Sequence, residues 1–330
     1  MRQNQFLLKK QGKRWDGVPV PNVNSADLDI RSLAEFRKQA TRSKRLSSDI
    51  LQEPDAVLLE KLHLLDGDYL KRAALLLFHP DPERFVTGAC IKIGFFESNV
   101  DLLYQDEVQG SLITQVNQVI DILNAKYLKA LISYDGLQRV ETWPVPEPAL
   151  REAILNAVVH KDYASGAPIQ ISVYTNKLMI WNPGVLPQDW DVAKLLAKHA
   201  SQPFNPDVAN TFFRAGMIES WGRGIERIMD SCLEAGNPAP ELRYETTGLW
   251  IVFNFLSGQT LGKTTQKTTQ KILTVLQATP HASRADIAKQ LGDITEDGVK
   301  YQLNKMKRDG LIERVGPAKG GHWKILEEGE

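Results

Sequence analysis

Residues 149–163 read "ALREAILNAVVHKDY", and this stretch decides how the middle of the chain folds. Most of its residues are Ala, Leu, Ile or Val, and Leu150, Ile154 and Val158 recur at the spacing of one helical face. Pro148 lies just before them, and proline is tolerated in the first turn of a helix because its missing N–H has no partner there. The pattern predicts a largely buried helix that begins near Pro148.

Three polar side chains interrupt this helix at intervals of four residues. Glu152, Asn156 and His160 advance by about 40° each around the helix, so they form a stripe beside the apolar face. A solvent-exposed surface explains such a stripe, since an E-x-x-x-N spacing is expected about once by chance in a chain of this size. A binding site is the alternative, and the spacing by itself leaves both open.

Two turns that contain glycine follow the helix. "IWNPGVLP" at 180–187 ends an apolar strand in a turn, and "SWGRGIERIMDSCLEAG" at 220–236 opens an amphipathic helix with a G-x-G pattern. Glycine at the start of a helix lets backbone N–H groups approach a phosphate closely, and the helix dipole favours an anion there. The candidate residues in these turns are Asn182, Gly184, Gly222, Arg223 and Gly224.

Taken in order, these segments resemble the GHKL (Bergerat-fold) ATPase-like domain in its RecG-related form, which occurs in proteins described as transcriptional regulators or RecG-like helicases. The resemblance covers about 145–255 and rests on the segments quoted above, on "FNPDVANTFFRAGMIESWGRGIERI" at 204–228 and on the strands that follow. It implies an α+β, multi-domain chain with a Bergerat-type α/β sandwich in the middle.

The resemblance also implies chemical roles. In the family the E-x-x-x-N helix supplies the base that polarises the attacking water and an oxygen ligand for magnesium, and these roles would fall on Glu152 and Asn156. Hard oxygen donors suit Mg²⁺, and a carboxylate near a water is a plausible general base. His160 and Asp162 match the family's His-Arg-Asp-Tyr stretch, with Lys161 in place of the arginine, and are expected to shape the pocket. ATP and Mg²⁺ are therefore the expected cofactors.

The chain departs from the family at two positions. The family's D-x-G-x-G box uses an Asp to read the adenine amino group, whereas this chain has Asn182, an amide that can hydrogen-bond an adenine edge but carries no charge. Phe204 stands where this branch of the family commonly has a basic residue. Weak ATP hydrolysis, nucleotide binding without turnover, and a degenerate pocket all remain open.

The composition changes at "SGQTLGKTTQKTTQKIL", residues 257–273. The tetrapeptide KTTQ occurs twice in succession without an apolar residue, which is typical of a linker, and we assign residues 258–270 to it. The segment is not a P-loop, because that motif requires four residues between its glycines and Gly258 and Gly262 enclose three. The sequence therefore does not indicate a RecG-type helicase motor.

Residues 271–330 look like a winged helix-turn-helix. Ser283 and Asp286 have the spacing of a capping box, which predicts the start of a helix. A recognition helix is predicted at 295–309, and the wing follows at 314–325.

The predicted recognition helix suits the major groove of double-stranded DNA. Its core face carries Val299, Leu303 and Met306, so the opposite face is free to contact phosphates and base edges. A protein-interaction module is the alternative function for such a fold. The candidate DNA contacts are Lys300, Gln302, Asn304, Lys307 and Arg308.

The N-terminal part resembles the tail of a Schlafen/AlbA-type DNA-binding domain. The cue is "FLLKKQGKRWDGVPVPNVNSADLDIRSLAEFRKQ" at 6–39 followed by "LLLF" and "IKIGFF", so we expect a partial domain. Lys and Arg outnumber Asp and Glu by 11 to 5 in residues 1–50 and by 12 to 6 in 263–324, which fits contacts with phosphates at both ends. The expected domains are 1–105 (partial Schlafen/AlbA-like), 106–257 (GHKL ATPase-like), 258–270 (linker) and 271–330 (winged helix).

Composition argues against membrane and secreted classes. The longest apolar stretches, such as "AALLLF" at 73–78, fall far short of the roughly 20 residues that span a bilayer. The first ten residues lack the continuous apolar segment of a signal peptide. Cys90 and Cys232 show no metal-ligand spacing, so we expect two buried thiols in a cytoplasmic protein.

The sequence therefore favours a DNA-binding transcriptional regulator in which the GHKL-like domain senses ATP and the winged helix binds duplex DNA. We expect nucleotide to change the geometry or association of protomers, which implies a homo-oligomer. Two other interpretations are a slow DNA-associated ATPase and an interaction module whose nucleotide pocket has degenerated.

Overall fold

The computed structural model describes residues 14–135, 138–187, 189–256, 263–292, 294, 296–308, 310–316 and 321–326. The chain divides into two compact units, Met1–Gln259 and Thr260–Glu330. The predicted linker lies across this division, but a helix already begins at Lys263. The KTTQ repeats continue directly into the amphipathic segment that begins at Lys271, so a helix nucleated there can extend back through them.

The helices and strands of the first unit alternate along the chain. Its helices are α1 (Ile30–Ser43), α2 (Ser48–Gln52), α3 (Asp55–Lys61), α4 (Arg72–Phe78), α5 (Leu112–Ile122), α6 (Glu147–His160), α7 (Val192–Leu196), α8 (Pro206–Arg214) and α9 (Gly224–Glu234). Its strands are β1 (Leu65–Asp66), β2 (Tyr69–Leu70), β3 (Ile91–Phe96), β4 (Leu102–Val108), β5 (Leu131–Asp135), β6 (Gln138–Thr142), β7 (Ile169–Tyr174), β8 (Lys177–Asn182), β9 (Glu241–Glu245) and β10 (Gly248–Asn254).

A six-stranded mixed sheet organises this unit. Its strand order is β4-β3-β7-β8-β10-β9, with β3 and β7 parallel and the other pairs antiparallel. Register aligns Ile93, Ile171, Ile180 and Ile251 in one buried row across four strands. Because neighbouring residues of a strand point to opposite faces, this row fixes which face packs on the helices.

The predicted boundary after residue 105 lies inside β4. β3, from the first predicted domain, pairs in parallel with β7, from the second, so one sheet forms across the boundary without a break. A parallel pair needs a long connection, and residues 97–168 supply it. The division into 1–105 and 106–257 is therefore not visible as two separate compact bodies.

Helix α5 is shorter than the helical spacing of apolar residues over 111–131 indicates. α5 ends at Ile122, a π-helical turn follows at Leu123–Tyr127, and the chain then enters β5. The buried Tyr127 hydroxyl donates to Asp106 Oδ2 at 2.5 Å, and Lys126 pairs with the same carboxylate at 2.6 Å. These contacts with β4 are tertiary, and helical periodicity does not report them.

Helix α6 is the quoted stretch, and it is buried on most of its surface. Leu150, Ile154 and Val158 are buried as predicted, and so are five further apolar residues of the helix. It packs against α5, α9 and β8. Bulk solvent reaches little of this helix. Its polar side chains must therefore point towards hydrogen-bonding partners or into a cavity.

The second unit has the three helices and hairpin of a winged helix. These are α10 (Lys263–Ala278), α11 (Arg284–Leu291), α12 (Glu296–Arg308) and the hairpin of β11 (Ile312–Val315) with β12 (His322–Ile325). The predicted capping box is present, with Ser283 Oγ accepting from the Asp286 N–H and Asp286 Oδ2 accepting from the Ser283 N–H. The α+β class and the C-terminal winged helix are confirmed.

The cysteines and the apolar character of the helices were also predicted from the sequence. Both cysteines are free and buried, as expected. No helix in the described part of the chain has the length and apolar character that crossing a bilayer would require.

Candidate functional site

The polar stripe of α6 faces a cavity of about 630 Å³ in the first unit. Glu152, Asn156 and His160 all line it, and Asn182 and Gly184 from the turn after β8 lie on its wall. Solvent exposure is thus not the reason for the stripe. Cavities of this size commonly hold a small molecule or cofactor.

Glu152 and Asn156 contact each other one helical turn apart. The Asn156 amide nitrogen donates to Glu152 Oε1 at 3.2 Å and to the Glu152 carbonyl at 3.0 Å. Because its nitrogen is engaged in this way, the Asn156 Oδ1 is left as an acceptor for a further group. The pair therefore presents oxygen atoms to the cavity.

The first residue of α9 lies directly against this pair. A Cβ added to Gly224 would lie 2.6 Å from Glu152 Oε1 and 2.7 Å from Asn156 Nδ2. No side chain caps the N-terminus of α9, so its first N–H groups are not satisfied by a capping residue. Glycine at this position lets the positive end of the helix dipole approach the two polar side chains closely.

The Glu152 carboxyl has an altered acidity. Burial raises its pKa, the Arg227 guanidinium and the Asn156 amide lower it, and the Glu219 carboxylate raises it further. The net direction is upward, so the carboxylate is a stronger base than one in water.

The far end of the stripe is neutral. Burial, followed by the proximity of His199, lowers the pKa of His160 to about 4, so its imidazole is uncharged near neutral pH. A Cβ on Gly184 would lie 2.9 Å from the His160 carbonyl oxygen, and the Asp162 N–H donates to the Pro183 carbonyl at 2.7 Å. The turn after β8 is therefore fitted tightly against the end of α6.

Asp162 does not line the cavity, in contrast to its expected place in a nucleotide pocket. Its Oδ1 accepts from the Ala164 N–H at 3.0 Å and caps the short turn Tyr163–Ser165. Its neighbour Lys161 is also buried, with its ammonium group 4.2 Å from the centre of the Tyr163 ring. The chain leaves the helical conformation at Lys161, so Asp162 belongs to the turn after α6 and not to the stripe.

The loop before α9 is shaped by its glycines. Gly222 has φ +70°, and a Cβ there would lie 2.6 Å from the His199 carbonyl oxygen. Arg223 lines the cavity but is exposed, and its guanidinium pairs with Glu226 at 2.9 Å. Glu226 thus competes with any anionic ligand for Arg223.

Several lining residues carry no local signal that sequence patterns could have detected. Trp15 stacks on Tyr163 with ring centres 5.9 Å apart, and the Arg72 guanidinium lies 4.6 Å from the Trp15 ring centre. Such residues reach the cavity through long-range packing, which periodicity and spacing do not encode. Six of them are Arg14, Trp15, Trp190, His199, Glu219 and Tyr244.

The second unit presents a basic face on α12. Val299, Leu303 and Met306 are buried in its core, as predicted. The opposite face is exposed and carries Lys300, Asn304, Lys307 and Arg308, with Tyr301 beside them at 62% exposure. The residues 295 and 309 that bound the predicted helix lie outside the described residues.

The prediction that Gln302 contacts DNA is wrong. It is only 8% exposed, because it lies three residues after Val299 and so shares the inward side of α12. Its Oε1 has no hydrogen-bond partner among the described residues. A buried side chain in this position is not available to a base edge.

Two protein families match parts of this chain. Residues 166–253 match the family described as "Putative ATP-dependent DNA helicase recG C-terminal". Residues 166–253 are therefore similar to a RecG C-terminal ATPase-like domain. Residues 265–313 match the family of winged helix-turn-helix DNA-binding domains. The resemblance stated from the sequence is confirmed for these two domains, and that of residues 1–105 to a Schlafen/AlbA-type domain stays a prediction.

The RecG-type match begins after α6, so Glu152 and Asn156 lie outside it. Their assignment depends on the geometry of the cavity. No curated protein matches this chain.

A solved structure shares the fold. The DIP2311 protein from Corynebacterium diphtheriae aligns with a TM-score of 0.60 at 18% sequence identity, over 98% of this chain and 66% of that one. This chain thus spans about two thirds of the length of that protein.

Proposed function

We propose that this chain is a DNA-binding regulator in which the RecG-type ATPase-like domain binds Mg-ATP and the winged helix binds duplex DNA. The observation that carries the proposal is the placement of Glu152 and Asn156 against Gly224 across one cavity. A helix N-terminus, an amide oxygen and a carboxylate converge there, which is the chemistry that a triphosphate with its metal requires.

The donor set at this place fits magnesium. Asn156 Oδ1 and Glu152 Oε1 are hard oxygen donors, and Gly224 leaves the space beside them that a Cβ would fill. Asn156 would hold the ion, which would neutralise phosphate charge when bound. The residues at the opposite end, His160, Asn182 and Gly184, would then contact the base and sugar, about 12 Å along α6 from Glu152.

ATP hydrolysis is a second candidate activity, and the raised pKa of Glu152 favours it. A carboxylate that is more basic than usual accepts a proton from water more readily. In this activity Glu152 would orient and deprotonate the attacking water, and the nearby α9 N-terminus would stabilise negative charge that develops on the phosphates.

Asn156→Ala is expected to weaken Mg-ATP binding by at least about tenfold, because it removes an oxygen ligand of the metal. Titration calorimetry with Mg-ATP and with a non-hydrolysable analogue measures this. Asn117→Ala is the matched control, since Asn117 lies on α5 beside Arg151 and does not line the cavity, and it should leave the affinity unchanged.

Glu152→Gln separates binding from hydrolysis in the same assay. Glutamine retains an oxygen towards the cavity but is no base, so the affinity should stay within a few-fold of that of the unchanged chain while any phosphate release stops. If neither the unchanged chain nor the variants produce heat with Mg-ATP, the nucleotide proposal fails.

The DNA-binding part of the proposal depends on the exposed face of α12. Lys300, Lys307 and Arg308 are cations on one exposed face, and Asn304 lies between them. Cations in this arrangement bind backbone phosphates, whereas an amide can read a base edge.

The triple variant Lys300→Gln, Lys307→Gln, Arg308→Gln is expected to reduce affinity for duplex DNA and to flatten its dependence on salt. Each phosphate contact that is lost lowers the slope of log K against log salt by about 0.9, so a reduction of about 2 to 3 is expected. Fluorescence anisotropy at several salt concentrations measures it. A second triple variant removes the same net charge from exposed lysines of the first unit, Lys129→Gln, Lys194→Gln and Lys198→Gln, and should leave the slope unchanged.

Nucleotide and DNA binding should also be coupled. If Mg-ATP changes the affinity for DNA by some factor, DNA must change the affinity for Mg-ATP by the same factor. The regulatory role, a cytoplasmic location and a homo-oligomer whose association responds to nucleotide belong to the same proposal. Equal DNA affinities with and without saturating Mg-ATP would remove its regulatory part.

A further inference from the structure

Arg45, which follows the last turn of α1, reaches the loop that leads to the cavity. Its guanidinium donates to the Phe213 carbonyl at 2.9 Å and to the Ile218 carbonyl at 2.6 Å, and pairs with Glu219 at 2.9 Å. It also lies 4.4 Å from the centre of the Phe213 ring. One side chain therefore holds both ends of the segment 213–219.

The backbone on both sides reinforces this contact. The Ser43 hydroxyl donates to the Arg214 carbonyl at 2.7 Å, and the Arg214 guanidinium donates to the Arg45 carbonyl at 3.1 Å. Gly216 has φ +79°, and a Cβ there would lie 2.5 Å from the Ser43 Cβ. The end of α1 and the end of α8 are thus interlocked, and the loop that continues to Gly222 and Gly224 starts from this interlock.

Glu219 is the residue through which this interlock reaches the site. It lines the cavity, and its Oε1 lies 2.9 Å from Arg45 and 3.9 Å from Arg227. A carboxylate on the wall of a nucleotide cavity repels phosphates unless a cation neutralises it. Arg45 provides that cation from outside the cavity, since it is not among the lining residues.

We infer that Arg45 is a positioning residue of the nucleotide site, which neutralises Glu219 and fixes the start of the loop 219–224 against Glu152 and Asn156. The inference rests on the proposed binding of nucleotide. Arg45 belongs to the N-terminal part of the chain, so this contact also connects that part to the site. It acts mainly on the charged portion of the ligand, because its effect runs through the charge of Glu219.

The test compares Mg-ATP with AMP on the full chain by titration calorimetry. Arg45→Gln is expected to weaken Mg-ATP binding about tenfold, as is typical when a residue that supports a metal site is removed. AMP carries less charge, and its affinity should change by no more than about twofold. Adding Glu219→Gln to Arg45→Gln should restore most of the Mg-ATP affinity, because the carboxylate that Arg45 neutralised is then gone.

Arg37, which lies on α1, supplies a matched control. It donates to the Leu51 and Glu53 carbonyls and pairs with Asp55 at 2.7 Å, so it makes the same kinds of contact as Arg45. The exposed fractions also agree, 21% and 42% for Arg37 and Asp55 against 25% and 43% for Arg45 and Glu219. Arg37→Gln should cost similar stability and leave both affinities unchanged.

The outcomes separate this inference from the proposed function. If the unchanged chain binds Mg-ATP and Arg45→Gln behaves like Arg37→Gln, the positioning role is wrong and the nucleotide proposal stands. Equal losses for Mg-ATP and AMP, without recovery by Glu219→Gln, would show a structural role only and overturn the inference. Should Arg45→Gln fail to fold, Arg45→Lys keeps the charge beside Glu219 and must retain the preference for Mg-ATP over AMP. Absence of Mg-ATP binding by the unchanged chain overturns both.

Discussion

Gly224→Ala should reduce Mg-ATP binding about 100-fold while the first unit still folds. The added Cβ would lie 2.6 Å from Glu152 Oε1 and 2.7 Å from Asn156 Nδ2, which is closer than real contacts allow. Both atoms end flexible side chains, so they can move away without unfolding the chain. They cannot stay where they are, however. Displacements near 1 Å in such a site lower the affinity for the ligand by about two orders of magnitude.

Calorimetric titration gives the affinity, and thermal unfolding reports on the fold. Alanine is a better helix former than glycine, so the unfolding midpoint should not fall. Gly236→Ala serves as the control at the other end of α9, where a Cβ would meet nothing within 4 Å. It should lower stability slightly through its φ of +73° and leave nucleotide affinity alone. Unaltered Mg-ATP affinity in Gly224→Ala would place the nucleotide elsewhere.

The second large effect concerns pH and Asp16, which is fully buried in the first unit. Its Oδ2 accepts the backbone N–H groups of Asp207 and Val208 at 2.8 and 3.2 Å, so it caps the start of α8 from a distant part of the chain. Burial and the neighbouring Asp207 carboxylate nevertheless raise its pKa from 3.8 to about 7. This carboxyl is therefore protonated more readily in the folded than in the unfolded chain.

The direction of the pH effect follows from proton linkage. Between pH 3.8 and 7 the folded state binds the proton and the unfolded state does not, so the free energy of unfolding falls as the pH rises through this window. The stabilisation is complete below the unfolded pKa and lost above about 7. A difference of about 3 pKa units corresponds to about 4 kcal/mol as an upper bound.

Asp16→Asn should abolish this contribution, because an amide does not titrate yet still offers an oxygen to the two N–H groups. Urea unfolding followed by tryptophan fluorescence suits the measurement, since six of the seven tryptophans lie in the first unit. The unchanged chain should lose up to about 4 kcal/mol more than the variant between pH 4 and pH 8.

Asp29 provides the comparison, because it caps the start of α1 with a pKa shifted the other way. Burial raises its pKa, but hydrogen bonds from Ser32 and the backbone outweigh burial and hold the pKa below its ordinary value. The stability that Asp29 contributes is lost only at pH values below this window. Asp29→Asn should therefore leave the slope of the free energy of unfolding against pH unchanged between pH 5 and 8. Parallel curves for Asp16→Asn and the unchanged chain would show that Asp16 does not titrate there.

Local interactions explain what could be predicted. The buried face of α6, the capping box at Ser283 and the inward residues of α12 all follow from contacts within about four residues, which the order of residues encodes directly. The same holds for the turn after β8, where Asn182 and Gly184 close a strand. Gln302 was misassigned although the same spacing, three residues after Val299, places it on the inward side of α12.

The sequence by itself determined helix α6 with its polar stripe and the winged helix, because periodicity and turn chemistry act over a few residues. Only the tertiary structure decided that the stripe faces a cavity, that Asp162 turns away from it, and that Asp16 and Arg45 reach α8 and Glu219. These contacts join residues more than 150 positions apart in the last two cases. They depend on how elements pack, and packing is decided by the summed burial and hydrogen bonding of the whole unit, which no local pattern records.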